Sequence, residues 1–147
     1  MPPLNHAVLS ASSAYRWLEC PPSALATADI PDETTIYAQE GSAAHEMAEY
    51  KIRWHLGEKD LAPPNIGNFH AEEIDRYTDS YAYYATDKIE TIRKICPDAI
   101  VMVEQRLDFS NYVKDGFGTG DLVIVADDVM QVIDFKYGKG VTVSAEH

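Results

Sequence analysis

Cysteine and long apolar runs are both scarce in this sequence of 147 residues. The two cysteines, Cys20 and Cys96, lie far apart without a CxxC spacing, which argues against a disulfide framework and a zinc knuckle. No run of about 18 or more apolar residues is present, and the first residues lack the basic and apolar regions of a signal peptide. We therefore expect reduced thiols, no membrane partner and a cytoplasmic protein.

Positive charge is also scarce, because 24 Asp and Glu stand against 12 Lys and Arg and give a formal net charge of −12. Such a charge repels nucleic-acid phosphate at long range, so a broad basic DNA-binding face is not expected. Clustered carboxylates are nevertheless what a hard divalent cation requires, and a bound cation reverses the local field. The net charge alone therefore leaves the partner open.

The apolar content, 46% of residues, is sufficient for a single domain with a core. In the first two thirds of the chain, capping residues and apolar spacing predict helices over about residues 12–19, 40–56 and 71–95. Apolar and aromatic residues repeat near the helical period in the last of these, and we interpret its tyrosines as packing rather than base stacking. The repeating residues are Ile74, Tyr77, Tyr81, Tyr84, Ile89 and Ile92.

From Ala99 the pattern changes to three strand-like runs, "AIVMVEQRLDF", "GTGDLVIVAD" and "MQVIDFKYG". Helices followed by a three-stranded antiparallel meander predict an α+β or mixed α/β domain. The last residues, "GKGVTVSAEH", predict a further extended segment without a closing helix. We therefore expect a chain that is incomplete at its C-terminus, or that completes its core as a homo-oligomer.

The second and third runs carry acids at positions that packing alone does not explain. Asp134 and Lys136 lie two residues apart, so a strand places both side chains on one face. A hairpin that turns at the "ADD" of residues 126–128 sets Asp121 directly opposite Asp134. Two opposed acids repel unless a cation lies between them, and Glu104 in the first run adds a third carboxylate.

Two interpretations of these residues remain open. Two or three acids and a lysine are the minimum for metal-assisted phosphodiester hydrolysis, with the acids binding Mg²⁺ or Mn²⁺ and Lys136 orienting a water or stabilising charge. In the simpler interpretation Asp121 caps a turn, while Asp134 and Lys136 form a solvated pair at a strand end. The apolar neighbours of Asp134 argue against casual exposure.

These residues carry a resemblance to a known superfamily. The series Glu104, Asp121 in "GTGD" and "DFK" at 134–136 resembles the PD-(D/E)XK nucleases, in particular their RecB-like and phage exonuclease branches. "GSAAHEMAE" is similar to the G-x-x-x-H-x-x-x-E helix of that branch, with His45 at the histidine position, and "LSASSAYRWLECP" resembles its helix-plus-CP opening. From about residue 9 to 146 the chain resembles the N-terminal part of a phage- or prophage-encoded family of unassigned function.

The resemblance implies a restriction-endonuclease-like core with N-terminal helices and a Mg²⁺- or Mn²⁺-dependent DNA nuclease. Such an enzyme would act in phage recombination, replication or defence-related processing. By residue, the resemblance implies catalytic roles for Asp121, Asp134 and Lys136. It implies metal ligation by His45, Glu104, Asp121 and Asp134.

Two features of that branch are not found in this sequence. The Q-x-x-x-Y helix that follows the D-x-K strand in RecB-like nucleases does not occur before His147, so DNA contacts are expected through a bound metal and a missing C-terminal part. Of the four cysteines that hold an iron–sulfur cluster in some relatives only Cys20 has a counterpart, so no cluster is expected. The alternative function is a catalytically inactive nuclease-fold module that serves in assembly or protein interaction.

Overall fold

The computed structural model describes residues 7–27, 30 and 35–138 of the protein and shows a mixed α+β architecture. A short 3-10 segment, Ala11–Ser13, leads into a helical half and then a sheet. The helices are α1 (Ala14–Glu19), α2 (Pro22–Ala26), α3 (Ile36–His55) and α4 (Ala71–Ile95), and the strands are β1 (Ile100–Asp108), β2 (Phe117–Ala126) and β3 (Val129–Ile133). The predicted order of helices followed by three strands is confirmed. The predicted extension beyond Gly138 lies outside the described residues.

The described residues fall into two compact units. The first unit contains residues 7–27, 30 and 106–119, and the second contains residues 35–105 and 120–138. No helix in the described ranges is long and apolar enough to cross a membrane. Within the described residues Cys20 is exposed, Cys96 is buried, and neither forms a disulfide.

Helix α3 begins earlier than its apolar spacing predicts because a threonine caps it. The side chain of Thr35 accepts a hydrogen bond from the Ala38 amide at 3.1 Å, which satisfies one of the unpaired N–H groups of the first turn. The helix ends at His55, and Gly57 follows with a φ of 108°, a conformation that glycine adopts readily. The added first turns place His45 in the middle of a long helix.

Helix α4 packs through small residues rather than through most of its tyrosines. Tyr81 is half-buried, as the packing interpretation predicts. Tyr77 and Tyr84 are about half-exposed, although the Tyr77 ring still packs at 5.9 Å from the ring of Tyr137. Alanine and threonine on the buried stripe allow the helix backbone to approach its neighbours closely, which explains why the larger rings are displaced to its sides. The buried residues are Ile74, Thr78, Ala82, Ala85 and Ile89.

A lysine fixes α3 against α4. The Lys51 ammonium group, which is largely buried, donates to the Thr78 hydroxyl at 2.9 Å and to the Asp79 carboxylate at 2.6 Å. It also donates to the carboxylate of Asp75 at 3.1 Å. Charge-assisted hydrogen bonds of this kind are stronger than neutral ones, so the two helices are held in a defined register.

The strands form one sheet in the order β1-β2-β3, with β2 and β3 antiparallel. Their pairing runs from Ala126↔Val129 to Leu122↔Ile133, which confirms the predicted hairpin and its turn. However, β3 ends at Ile133, so the predicted ladder pair of Asp121 with Asp134 is wrong. Beyond the last ladder pair, the amide of Phe135 donates to the Asp121 carboxylate.

The core of the second unit gives a direct test of this packing. Leu122 on β2 is fully buried against Ile52, Ile89 and Ile124. We expect Leu122→Ala to lower the free energy of unfolding by about 3 kcal/mol, because a buried leucine loses both its transfer energy and its contacts. Val129→Ala, at an exposed position of β3, should cost less than about 1 kcal/mol. Urea unfolding measures both values, and equal losses would contradict this assignment of the core.

Candidate functional site

Three side chains from three elements of the second unit converge on one point. His45 from α3, Glu104 from β1 and Asp121 from β2 each offer a ligand atom, and these atoms lie within 4.8 Å of one another. Asp121 is 9% exposed, and the other two are partly buried. We call these three residues the metal-site cluster, because one nitrogen and two carboxylate groups at such distances suit a divalent cation. They are three of the four ligands that the sequence predicted.

The backbone of Glu104 is strained. Its φ is 49°, a left-handed conformation that is uncommon for a residue other than glycine and more so inside a strand. Such a residue interrupts the alternation of β1 and redirects its own side chain. Backbone strain of this kind concentrates at functional sites. In this strand it is located on a member of the metal-site cluster.

Asp121 is held by two hydrogen-bonding groups. One of its oxygens lies 3.5 Å from Nδ1 of His45, and the other accepts the amide N–H of Phe135 at 2.6 Å. Burial by itself raises the pKa of Asp121, but the hydrogen bonds from His45 and Phe135 outweigh it and keep the pKa below its ordinary value. Asp121 is therefore an ionised carboxylate at neutral pH.

The negative charge of Asp121 shifts the pKa values of the other two members of the cluster. The pKa of His45 is raised, mainly by its hydrogen bond to Asp121. Burial lowers this pKa, whereas the charges of the nearby carboxylates raise it further. Burial raises the pKa of Glu104 to about 7, and the charges of Asp121 and Glu49 contribute in the same direction. Glu104 is thus partly protonated at neutral pH, because burial first and the neighbouring acids second disfavour its charge, and a cation would stabilise the ionised form.

The structure adds Arg53, which the sequence did not single out. Arg53 donates to Glu49 at 2.7 Å and to the carbonyl of Val103 at 3.0 Å, and so connects α3 to the strand residue before Glu104. The sequence does contain a signal for the contact between Arg53 and Glu49. His45, Glu49 and Arg53 follow one another at intervals of four, so they share a helix face.

Aromatic rings form a second layer beside the cluster. The buried Phe135 contacts the edge of the His45 ring at a centroid distance of 5.3 Å and stacks on Tyr81 at 4.7 Å. The hydroxyl of Tyr81 is buried and has no hydrogen-bond partner among the described residues. Nothing in the helical period distinguished Tyr81 from its exposed neighbours on α4.

Asp134 and Lys136 pair with each other and are not members of the metal-site cluster. Nζ of Lys136 is 2.7 Å from Oδ2 of Asp134, and both side chains are half-exposed or more. The predicted proximity of the two is therefore confirmed, although they lie beyond the end of β3 rather than on it. The charge of Asp134 helps to raise the pKa of His45, and that of Lys136 helps to lower the pKa of Asp121. Ligation by Asp134 and catalysis by Lys136 stay predictions.

We expect Glu104→Gln to stabilise the metal-free protein at alkaline pH. Since the pKa of Glu104 rises from 4.5 to about 7 on folding, the folded state binds the extra proton, and stability is lost as the pH rises through that interval. The variant removes this loss, so its Tm should exceed that of the wild type by about 4 °C at pH 8 and hardly at all at pH 5. Thermal unfolding followed by circular dichroism measures the difference.

The exposed Glu46→Gln on α3 is the matched control and should leave Tm unchanged at both pH values. Addition of Mn²⁺ should reverse the order, because only the wild type retains both carboxylates of the metal-site cluster. A Glu104→Gln protein that is less stable at pH 8 without metal would contradict the raised pKa of Glu104.

Comparison with known proteins gives a family but no structural relative. A family model with the description "Protein of unknown function (DUF2800)" matches residues 6–147, which is nearly the whole chain. No solved structure matches the chain. The chemistry of the site must therefore be argued from its own residues.

Proposed function

The chain belongs to the DUF2800 family, and we propose that this member is a Mg²⁺- or Mn²⁺-dependent DNA nuclease related to the PD-(D/E)XK superfamily. The observation that supports the proposal best is the metal-site cluster, whose three ligand atoms lie within 4.8 Å of one another. Its residues come from the same motifs that carry the sequence resemblance. Such an activity would serve phage recombination, replication or defence-related processing.

The residues fit a divalent cation. His45, Glu104 and Asp121 would hold it, and the combination of imidazole and carboxylate ligands suits Mn²⁺ and is compatible with Mg²⁺. Asp121 is already ionised, while His45 and Glu104 must each lose any bound proton. When bound, such a cation polarises a phosphate oxygen and lowers the pKa of a coordinated water.

The pair of Asp134 and Lys136 would act on the substrate side of the site. Lys136 is largely exposed on the segment after β3, so its ammonium group can exchange Asp134 for a phosphate oxygen without disturbing the core. There it would stabilise the negative charge that develops on the phosphate during hydrolysis. Asp134 would in turn be released from its ion pair and become available as a further ligand.

Charge supports a role for the cation in binding as well as in catalysis. The chain carries a net charge of −12, which opposes the approach of DNA. A divalent cation at the metal-site cluster would reverse the field locally and create an attractive point for one phosphate. DNA affinity should therefore depend on the metal.

A protein-interaction module without catalysis is the second candidate. Val129, Met130 and Val132 are all at least half-exposed on β3, which is the edge of the described sheet. Apolar side chains on a sheet edge are a common site of pairing with another protein or a second copy. This observation favours an assembly role, in which the acids would bind a structural cation or none.

Cleavage of linear DNA distinguishes the two candidates. The full-length protein should be incubated with single- and double-stranded linear DNA in Mn²⁺, in Mg²⁺ and in excess chelator, and the products separated by size. The nuclease proposal expects fragments or nucleotides that require the metal. Saturable Mn²⁺ binding in calorimetry with all DNA substrates intact would favour the interaction module, and absence of Mn²⁺ binding would remove the metal site itself.

A further inference from the structure

Tyr81 on α4 is the most unusual polar residue near the metal-site cluster. Its ring stacks on Phe135, with a centroid distance of 4.7 Å and an interplanar angle of 27°. The other contacts of Phe135 are the ring edge of His45 and, through its amide, the carboxylate of Asp121. Tyr81 is therefore separated from two members of the cluster by one residue.

The hydroxyl of Tyr81 is buried without a hydrogen bond to any described group. Leaving a buried polar group unpaired destabilises the folded state, and a phenylalanine at this position would avoid that cost. The next buried hydroxyl on α4, that of Thr78, shows the usual solution, since it donates to the carbonyl of Ile74 at 2.7 Å and accepts from Lys51. The contrast indicates that the Tyr81 hydroxyl has a partner outside the described residues.

The surroundings of the hydroxyl define the chemistry of that partner. Burial raises the pKa of Tyr81, and the charges of Asp121, Glu104 and Asp134 raise it further, so the phenol stays protonated. It is a neutral donor, and unlike Lys136 it does not form an ion pair with the acids around it. Both oxygens of Asp121 already face other groups, namely His45 and the Phe135 amide.

We propose that Tyr81 is a substrate-binding residue whose hydroxyl donates a hydrogen bond to a phosphate oxygen held at the metal-site cluster. The inference rests on the proposed function, because a cation at the cluster is what brings an anionic oxygen to this acidic surface. The stacked ring of Phe135 fixes the direction of the phenol, so the donor is oriented before the phosphate arrives.

The test compares Tyr81→Phe with the wild type by calorimetry, using Mn²⁺ alone and then thymidine 5′-monophosphate added to the Mn²⁺-loaded protein. Loss of the donor should weaken nucleotide affinity about tenfold, while Mn²⁺ affinity changes less than twofold. The Tm of the metal-free variant should equal or exceed that of the wild type, because no internal hydrogen bond is lost. Tyr84→Phe, which removes a half-exposed hydroxyl from the same helix, should change none of the three.

Each other result overturns the inference. Equal nucleotide affinity in both proteins would show that the phenol does not reach the phosphate. A lower Tm in Tyr81→Phe would show that the hydroxyl serves the fold, and a tenfold loss of Mn²⁺ affinity would place it on a metal ligand. Failure of the wild type to bind Mn²⁺ would remove the proposed function together with the inference, whereas Mn²⁺ binding with unchanged nucleotide affinity would remove the inference alone.

Discussion

Asp121→Asn is expected to weaken Mn²⁺ binding by at least about a hundredfold, which corresponds to about 2.7 kcal/mol. Asp121 is the most buried member of the metal-site cluster and, with a pKa below its ordinary value, the one that is ionised before any metal arrives. The asparagine keeps the shape and can still accept the Phe135 amide, so the change removes the charge while retaining that hydrogen bond. Calorimetric titration at pH 7 measures the affinity, and circular dichroism checks that the fold is retained.

Asp134→Asn tests the fourth predicted ligand in the same assay. Its carboxylate is half-exposed, pairs with Lys136 and is not a member of the metal-site cluster, so Mn²⁺ affinity should fall less than tenfold. A loss as large as that of Asp121→Asn would show that Asp134 is a full ligand in the loaded protein. Unchanged binding in Asp121→Asn would contradict the site altogether.

Lys136→Met is expected to slow DNA cleavage by about a hundredfold or more while Mn²⁺ affinity stays within twofold of the wild type. Removing one well-placed donor from a site that stabilises developing charge has an effect of about this size. The lysine is exposed on the segment after β3, so its loss should leave the core intact. The rate is measured under single-turnover conditions at saturating Mn²⁺, which separates chemistry from binding.

Lys94→Met serves as the control, because it removes an exposed lysine from the last turn of α4. Its cleavage rate should match that of the wild type, and Lys136→Arg should retain part of the activity because the charge remains. If Lys136→Met cleaved as fast as the wild type, the lysine would be no more than the solvent-exposed partner of Asp134.

Two local patterns made much of the second unit predictable. Alternation with a period of two and a two-residue turn determine a hairpin register, and the pairing from Ala126↔Val129 to Leu122↔Ile133 follows from them. The residue types and order of the motifs likewise indicated His45, Glu104 and Asp121 before their distances were known.

What could not be predicted depends on contacts between residues distant in sequence. Beyond the end of β3 the Phe135 amide donates to a side chain on β2, and no periodicity encodes such a bond. The tyrosines of α4 follow the helical period closely enough to predict packing, but close approach through alanine decides which face is buried. The positive φ of Glu104 and the unpaired hydroxyl of Tyr81 have no sequence signal of their own.

Phe135 connects the segment that would bind substrate to the metal-site cluster. It stands between Asp134 and Lys136 in the chain, while its amide holds Asp121 and its ring contacts His45 and Tyr81. If Lys136 engages a phosphate as proposed, any shift of this segment would therefore change the orientation of Asp121, a proposed metal ligand. Substrate binding and metal binding would then be energetically coupled. Bound DNA would raise the affinity for the metal, and bound metal would raise the affinity for DNA by the same factor.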